Sequence, residues 1–421
     1  MYNQIFNQIE WCFDWQTDPA DCFGAPAKME KLGFWEEIDL NDDDDAGAMI
    51  KLAIRALEFS MDREDKPNVE FVRYLISHGF DINTRVPDKD CLLFQAVKNR
   101  LSPDMVQQLL DLGADPYIEN FAGDNILVVA AKQEYDPEEE EEEGALIRYL
   151  VEHVDLSRID GPDRYGITPL MYAVINNHIL LAKTLLANGA DVNAPGTKPA
   201  GNNDYWIKLD GVTPLALACR GGNVEIARLL LETGADETVR DSKGNPPIFS
   251  LLRYPHNFHQ NTRINDPIYD RKCEILSLLK DLELTDAEGY TVLLRSLQDI
   301  KEWPDTASAY SDNLPISLAL IKQGANIEVA GNDGKRPLHL SVTGLGDVHK
   351  NLIKAGAELN AQDSDGNTPL LIACSRSNEN IVRYLIKAGA DITILNNEGK
   401  TAMDLCSERG FTGAIELMMG R

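Results

Sequence analysis

Two short phrases recur along this chain at a nearly constant spacing, and this repetition limits the possible folds more than any other feature. The first phrase, of the type GADxN, closes each unit, and the second, of the type GxTPLxxA, opens the next. Gly356 and Gly389 of the first phrase are 33 residues apart, and Gly324 and Gly356 are 32 apart. Units of this length bury a core only by stacking on their neighbours. The first phrase occurs at 78–83, 112–117, 188–193, 233–238, 323–328, 355–360 and 388–393, and the second at 165–174, 210–219, 333–342, 365–374 and 398–407.

Each unit carries the start and stop signals of two short helices. In the fourth unit Thr168 predicts an N-cap and Pro169 the first helical residue, because the Thr oxygen accepts unpaired N–H groups and Pro has none to lose. In the fifth unit a second helix follows with apolar residues at helical spacing, and it ends at Gly234, which can adopt the left-handed conformation. The same Thr-Pro pair opens units at 213–214 and 368–369.

The two phrases and their register resemble the ankyrin repeat. The resemblance covers about residues 49–421 and implies an all-α fold: an ankyrin-repeat solenoid of about ten stacked helix-turn-helix units with β-hairpin-like finger turns. Some units depart from the pattern. The second has Cys91 where Thr is usual, the third has His153 in place of the closing Gly, and the sixth reads Pro246-Pro247. The last unit lacks the GAD turn, as expected of a C-terminal cap.

Residues 1–48 lie outside the repeats and predict a separate, acidic N-terminal cap. They hold three of the five tryptophans, Trp11, Trp15 and Trp35, whereas disordered acidic tails are poor in aromatic residues. We therefore predict that this segment is an ordered helical cap in which Asn41–Asp45 form a solvated turn.

Departures from the regular repeat spacing indicate where four insertions lie in the sequence. Three lie between the two helices of a unit, near 134–143, 253–270 and 299–311, and one, near 194–206, lies in the turn between two units. Insertions in stacked repeats often lie on a binding face, although each of these can equally be a tolerated surface loop. They mark candidate contact regions on both edges of the stack.

The net charge of −28 is concentrated towards one end of the chain. Residues 1–143 carry 12 basic and 33 acidic side chains, whereas residues 331–421 carry 10 and 11. This acidity excludes a general nucleic-acid binder, which needs Lys and Arg to displace counterions from phosphates, and it disfavours binding to an anionic membrane surface. It favours a protein partner that has a basic surface.

Other features predict a cytoplasmic protein. No stretch reaches the roughly 18 consecutive apolar residues of a membrane-spanning helix, and the first lysine, Lys28, comes too late for a secretory signal. The seven cysteines form no CxxC pair, which favours reduced thiols.

No arrangement of residues predicts catalysis, a metal site or a bound cofactor. Asp42–Asp45 lack the closing Glu of a calcium loop, and His256 and His259 form only an isolated HxxH. Nucleophile and phosphate-loop motifs are missing as well. The residues interpreted as core residues of the repeats are Cys219, Cys374 and His339.

The resemblance implies that partners are contacted by the finger turns and by residues late in the first helix of each unit. Tyr and Arg are enriched among residues that dominate binding energy, although simple solvation is the alternative for each position. Two residues of the 194–206 insertion, Tyr205 and Trp206, either anchor a partner or fold back on the stack. The other candidate contacts are Arg164, Tyr165, Ile167, Ile175, Asn176, Arg220, Lys243, Arg253, Tyr254, Tyr290, Lys335, Ser375, Arg376, Lys400 and Arg409, together with the acidic run Glu138, Glu139, Glu140, Glu141, Glu142 and Glu143.

These observations predict a non-catalytic protein–protein interaction module that is monomeric when free. One hypothesis is an acidic inhibitor or immunity protein that covers the active surface of a basic enzyme or toxin. The alternative is an adaptor or effector scaffold that recruits a host or signalling protein. A third hypothesis is that the acidic runs 42–45 and 138–143 mimic a nucleic acid.

Overall fold

The computed structural model describes residues 25–31, 38–59, 69–86, 90–120, 122–133, 140–153, 159–197, 209–252, 267–298, 309–343, 346–376 and 379–420. These residues form twenty α-helices, one 3₁₀ helix and no β-strand, although an isolated antiparallel bridge joins Thr285 and Thr291. The prediction of an all-α repeat fold is confirmed. The chain divides into two compact units, Met1–Asp210 and Gly211–Arg421.

The first unit contains one preceding helix and four helix pairs. The first helices of successive pairs (α2, α4, α6 and α8) pack on one another, and each packs on the second helix of its own pair. The helices are α1 (Ala25–Lys31), α2 (Asp43–Phe59), α3 (Val69–Ser77), α4 (Leu92–Lys98), α5 (Pro103–Asp111), α6 (Ile126–Ala131), α7 (Glu140–His153), α8 (Pro169–Ile175) and α9 (Ile179–Ala187).

The second unit contains six pairs, and the first element of its second pair is the 3₁₀ helix Pro247–Leu251. Both elements of each pair contact each other, as in the first unit. The α-helices are α10 (Pro214–Gly221), α11 (Val224–Glu232), α12 (Pro267–Leu278), α13 (Val292–Leu297), α14 (Ala309–Lys322), α15 (Pro337–Ser341), α16 (Val348–Lys354), α17 (Pro369–Arg376), α18 (Glu379–Ala388), α19 (Ala402–Arg409) and α20 (Thr412–Met418).

The N-terminal region differs from the prediction in two respects. Asp43–Asp45 form the first turn of α2 instead of a solvated turn, because carboxylates interact favourably with the positive end of a helix. The same helix continues to Phe59, so the predicted boundary between residues 48 and 49 falls inside it. Upstream, α1 packs on α3, and the Tyr74 hydroxyl donates to the Pro26 carbonyl oxygen at 3.4 Å. The three tryptophans of the predicted cap lie outside the described residues.

Three of the predicted insertions are shorter than expected, because the helix that follows each one begins inside the predicted segment. α7 starts at Glu140, so the second half of the acidic run is the beginning of a helix and only 134–139 remain outside the described residues. α12 starts at Pro267 and α14 at Ala309, each inside the segment assigned to an insertion. Most of the remaining insertion residues, 198–208, 253–266 and 299–308, also lie outside the described part of the chain.

The predicted Thr-Pro helix starts are confirmed. Thr168 Oγ1 accepts a hydrogen bond from the Met171 amide at 3.2 Å, and Pro169 is the first helical residue. The equivalent capping bonds occur in the fifth and ninth repeats, at 3.3 Å in each. At the start of α4, where Cys91 replaces the usual Thr, no side-chain capping bond is made.

The finger turns are closed by a repeated backbone pattern. In the fourth repeat the Asp163 amide donates to the Ile167 carbonyl at 3.0 Å, and the Gly166 amide donates to the Asp163 carbonyl at 2.9 Å. Asp163 Oδ1 also accepts from the amides of Tyr165 and Ile167. Both backbone bonds recur in the fingers that start at residues 120, 241, 286, 331, 363 and 396. In six of these seven fingers the Asp or Asn at the first position also forms an Asx-type turn, whereas Gly331 has no side chain to do so.

Neighbouring fingers are also joined to each other by backbone hydrogen bonds. The Thr197 amide donates to the Gly166 carbonyl at 3.0 Å in the first unit. In the second unit the amides of Ser364 and Asn397 donate to the carbonyls of Asp333 and Asp365, each at 3.0 Å. These bonds satisfy loop groups that would otherwise need water.

The three residues interpreted as core residues are buried. Cys219 and Cys374 are inaccessible to solvent in α10 and α17. His339 Nδ1 accepts from the Arg336 amide at 3.1 Å, and its Nε2 lies 2.9 Å from the Ala361 carbonyl oxygen, to which it donates. This arrangement requires the neutral imidazole, because protonated Nδ1 could no longer accept.

A stability measurement can test this role of His339. Burial lowers the pKa of His339 below its ordinary 6.5, so as the pH falls through the unfolded value the unfolded chain takes up a proton that the folded chain resists. The stability contribution is complete above that pH and is lost below it. We expect the difference in free energy of unfolding between wild type and His339→Gln to shrink from about pH 7.5 to about pH 5.5 in urea titrations. An unchanged difference would contradict this role.

Candidate functional site

Two positions recur beside each other at the junction of finger and first helix. They are the residue just before the N-cap and the residue eight positions further on, and we call them a row pair. Asp90 and Lys98 form an ion pair at these positions in the second repeat. Asp124 and Lys132 do so in the third, at 2.7 Å. In the tenth repeat the signs are reversed, and Lys400 lies 3.0 Å from Glu408.

The row pair of the fourth repeat is apolar. Ile167 and Ile175 occupy the two positions that hold opposite charges in the second and third repeats of the same unit. Ile175 is 42% exposed and is one of four large apolar side chains with such exposure among the described residues, while Ile167 is half-buried. Because Ile175 is already more than half buried, covering its exposed part with a partner would contribute about 1 kcal/mol.

The finger of the fourth repeat adds an aromatic and a cationic side chain. Arg164 is exposed, and its Nη2 donates to the Tyr165 hydroxyl at 2.8 Å. The guanidinium carbon lies 4.8 Å from the centroid of the Tyr165 ring, which fits a cation–π contact. We call Arg164, Tyr165, Ile167 and Ile175 the fourth-repeat patch. The patch combines the residue types that dominate many protein interfaces.

A buried network supports the patch from behind. Lys132 Nζ lies 2.7 Å from Asp124 Oδ1 and 3.0 Å from Asp163 Oδ2, so one ammonium joins two repeats. The Tyr172 hydroxyl donates to the same Asp163 oxygen at 2.8 Å. Burial and the neighbouring Asp163 carboxylate raise the pKa of Tyr172, which keeps its hydroxyl as a donor.

The end of α8 is fixed by one further contact. The Asn176 side-chain amide donates to the carbonyl of Ala131, at the end of α6, at 2.8 Å. Ile175 therefore projects from a helix end that is bonded to the preceding repeat through the next residue, Asn176. A backbone held in this way loses little conformational entropy when a partner binds.

Several candidate contact residues of the second unit are engaged within the protein. Lys335 Nζ pairs with Asp333 at 2.6 Å, and Lys400 pairs with Glu408. The Tyr290 ring lies 4.4 Å from the guanidinium of Arg295. Of three further candidates in this unit, Lys243 and Arg376 are exposed and Arg220 is half-buried.

Some candidates lie where the structure gives no description. Tyr205 and Trp206, Arg253 and Tyr254, and the first two members of the acidic run, Glu138 and Glu139, fall outside the described residues. Glu140–Glu143 are described only as the backbone of the first turn of α7.

The sequence interpretation missed the cations that organise these surfaces. Lys132 joins two repeats, Arg295 pairs with Asp286 and Glu288, and Arg336 pairs with Glu328 and Glu358 of two successive fingers. The eight-residue spacing of Asp124 and Lys132 was a usable local signal, since the same spacing recurs at 90–98. The bonds between repeats had no such signal.

Among the described residues, no group of three or more His, Cys, Asp or Glu side chains is placed to hold a metal ion. Burial raises the pKa of the Cys91 thiol to about 11 and that of Cys219 to about 12, so neither is a thiolate at neutral pH. His256 and His259 lie outside the described residues.

Among the described residues, no helix is both long enough and apolar enough to cross a bilayer.

Two protein-family models match parts of this chain. The family model described as ankyrin repeats (3 copies) matches residues 93–195 and 343–420, and the model of the single ankyrin repeat matches residues 210–242. Among solved structures, the ankyrin repeat domain of Bcl-3, described as a unique member of the IkappaB protein family, is similar to this chain at 22% identity with a TM-score of 0.44. The similarity covers 60% of this chain and 99% of that domain. No curated protein matches the sequence.

The family matches account for the features that the structure shows. Their residues include the capped Thr-Pro helix starts at 168–169, 213–214 and 368–369 and the fingers that start at residues 163 and 363. Ankyrin repeats indicate a protein–protein interaction module, and such modules are generally non-catalytic. This chain belongs to the ankyrin-repeat family.

Proposed function

We propose that this chain binds a protein partner with a basic surface, and that the fourth-repeat patch is the centre of the contact. The observation that carries the proposal is the exposed Ile175 at the braced end of α8. In the second and third repeats, the positions equivalent to Ile167 and Ile175 hold ion pairs. Ile175 lies in one patch with Tyr165 and Arg164, and Tyr and Arg are residue types enriched among those that dominate binding energy, which favours a role in recognition.

The charge distribution supports the basic character of the partner. Residues 1–143, which precede the patch in the first unit, carry 33 acidic and 12 basic side chains. Long-range attraction would speed association with a basic protein and weaken with added salt. A partner with an acidic surface is less well supported than one with a basic surface. Two of the cations proposed as contacts in the second unit, Lys335 and Lys400, are already paired with carboxylates.

Capture and affinity measurements test the binding proposal. We expect the immobilised full chain to retain a basic protein from its native source at low salt and to release it at high salt. Ile175→Arg should weaken that complex by at least about tenfold, because it removes a buried apolar contact and places a like charge against the partner. The matched control is Leu395→Arg in the second unit, at a residue that is 53% exposed. Equal affinities of the two variants would contradict a contact at the fourth repeat.

We further propose that binding inhibits the partner, in the manner of an acidic inhibitor or immunity protein. A partner enzyme or toxin should lose its activity when one equivalent of the chain is added. Retention of full activity in the saturated complex would instead support an adaptor or effector scaffold. Replacing Glu138–Glu143 by glutamine tests mimicry of a nucleic acid, because mimicry requires that this change abolish capture.

A further inference from the structure

Two buried thiols of neighbouring repeats face each other in the second unit. Cys374 in α17 and Cys406 in α19 are both inaccessible to solvent, and their sulfur atoms are 3.0 Å apart. The two helices pack directly on one another. A disulfide bond is about 2.05 Å long, so the sulfurs need to approach by about 1 Å to be joined.

The surroundings hold this pair in place. Both cysteines belong to an apolar cluster that includes Leu371, Val382 and Leu405. In such a core the side chains have few alternative rotamers, so the thiols stay opposite each other. The hydrogen bond between them lowers the pKa of Cys406 and raises that of Cys374, so Cys406 ionises first.

We propose that Cys374 and Cys406 form a redox-active dithiol, which a peroxide converts into a disulfide that links the ninth and tenth repeats. The Cys406 thiolate attacks one oxygen of hydrogen peroxide, the O–O bond breaks, and the products are a sulfenic acid on Cys406 and hydroxide. The Cys374 sulfur then attacks the Cys406 sulfur, the S–O bond breaks, and the departing oxygen leaves as water. Two thiols and one peroxide thus give one disulfide and two molecules of water.

The burial of the pair determines how the reaction begins. Neither sulfur is accessible in the closed repeat, so peroxide reaches Cys406 when α19 opens locally. The rate is therefore limited by opening, and the reaction is slower than at an exposed thiolate. The product joins residues that are 32 positions apart and restricts the unfolded chain.

Peptide mapping of the full chain tests the proposal directly. Trypsin cleaves after Lys354, Arg376, Lys400 and Arg409, so the two cysteines fall on separate peptides. After treatment with hydrogen peroxide, blocking of remaining thiols and digestion, we expect the 355–376 and 401–409 peptides to be joined in a species two hydrogens lighter than their sum. Reduction should separate them. The oxidised protein should also show a melting temperature higher by about 5 °C.

The controls separate this pair from general oxidation. Cys219 occupies in α10 the position that Cys374 occupies in α17, and Cys219→Ser should leave the cross-link intact. Cys406→Ser should abolish it, with folding checked by circular dichroism. Recovery of both wild-type cysteines as blocked free thiols, or as separate oxidised residues, would overturn the proposal even without the variants. None of these results depends on the partner proposed for the fourth repeat.

Discussion

Gly166→Ala is expected to destabilise the first unit by about 3 to 5 kcal/mol, measured as the free energy of unfolding in urea. Gly166 has φ of +78°, and a Cβ placed on it would lie 2.0 Å from the carbonyl oxygen of Thr197. That oxygen belongs to backbone, and the Thr197 amide is bound to Gly166 itself. The finger of the following repeat must therefore move, which breaks the bond between the two fingers.

Gly189→Ala is the matched control for this substitution. Gly189 lies in the same unit with φ of +92°, and a Cβ there would meet nothing within 4 Å. It should cost only the left-handed strain, about 1 to 2 kcal/mol. The difference between the two variants therefore measures the close approach of the fingers. Equal costs would show that the contact between Gly166 and Thr197 contributes nothing.

Lys132→Met is expected to destabilise the first unit by about 3 kcal/mol, because it leaves two buried carboxylates without their cation. The Asp124 side chain is nearly buried and that of Asp163 is completely buried. Lys132 itself is about a quarter exposed, which places the effect at the lower end of the range for buried pairs. Thermal and urea unfolding of the full chain measure this effect.

Two further variants test the cause of that loss. Lys132→Met combined with Asp124→Asn should be less destabilising than Lys132→Met alone, since one uncompensated charge is removed. Lys335→Met removes the cation from a pair whose carboxylate, on Asp333, is 46% exposed, and it should cost at most about 1 kcal/mol. If the double variant lost as much stability as Lys132→Met and Asp124→Asn together, the two charges would not interact.

The sequence predicted those parts of the fold that are encoded by short local patterns. Thr168 and Pro169 determine a helix start through bonds within four residues, so the pattern alone locates the start of α8. In most repeats the finger turn depends on one Asp or Asn and one glycine in the same segment, so it too could be predicted. His339 was correctly interpreted as structural because its position in the phrase determines its backbone partners.

The acidic segments were interpreted less well, and the reason is physical. We treated runs of Asp and Glu as solvated loops, but both described runs begin helices, α2 and α7. Carboxylates at a helix N-terminus are stabilised by its unpaired N–H groups, and Glu has a high helix propensity. The apolar residues that follow each run carry the helix into the core, and this periodicity could have indicated the earlier starts.

The candidate site was predictable only in part. Ile167 and Ile175 were named from their positions in the repeat, but the sequence could not show that Ile175 is exposed beside rows of paired charges. The network behind it depends on Lys132 reaching Asp163, a residue of the next repeat. Partners so distant in sequence are determined by how the helix pairs stack, and no local spacing encodes them.

The backbone bonds between fingers have a consequence for how such a chain can change in length. Donor and acceptor are separated by one repeat in each case, from Thr197 to Gly166, from Ser364 to Asp333 and from Asn397 to Asp365. Duplication or loss of a whole repeat during evolution would leave every remaining amide opposite an equivalent carbonyl. A partial deletion would leave such groups without acceptors. The repeat is therefore the smallest segment by which a gene can lengthen or shorten this array, and the same boundaries suit recombinant shuffling of its repeats.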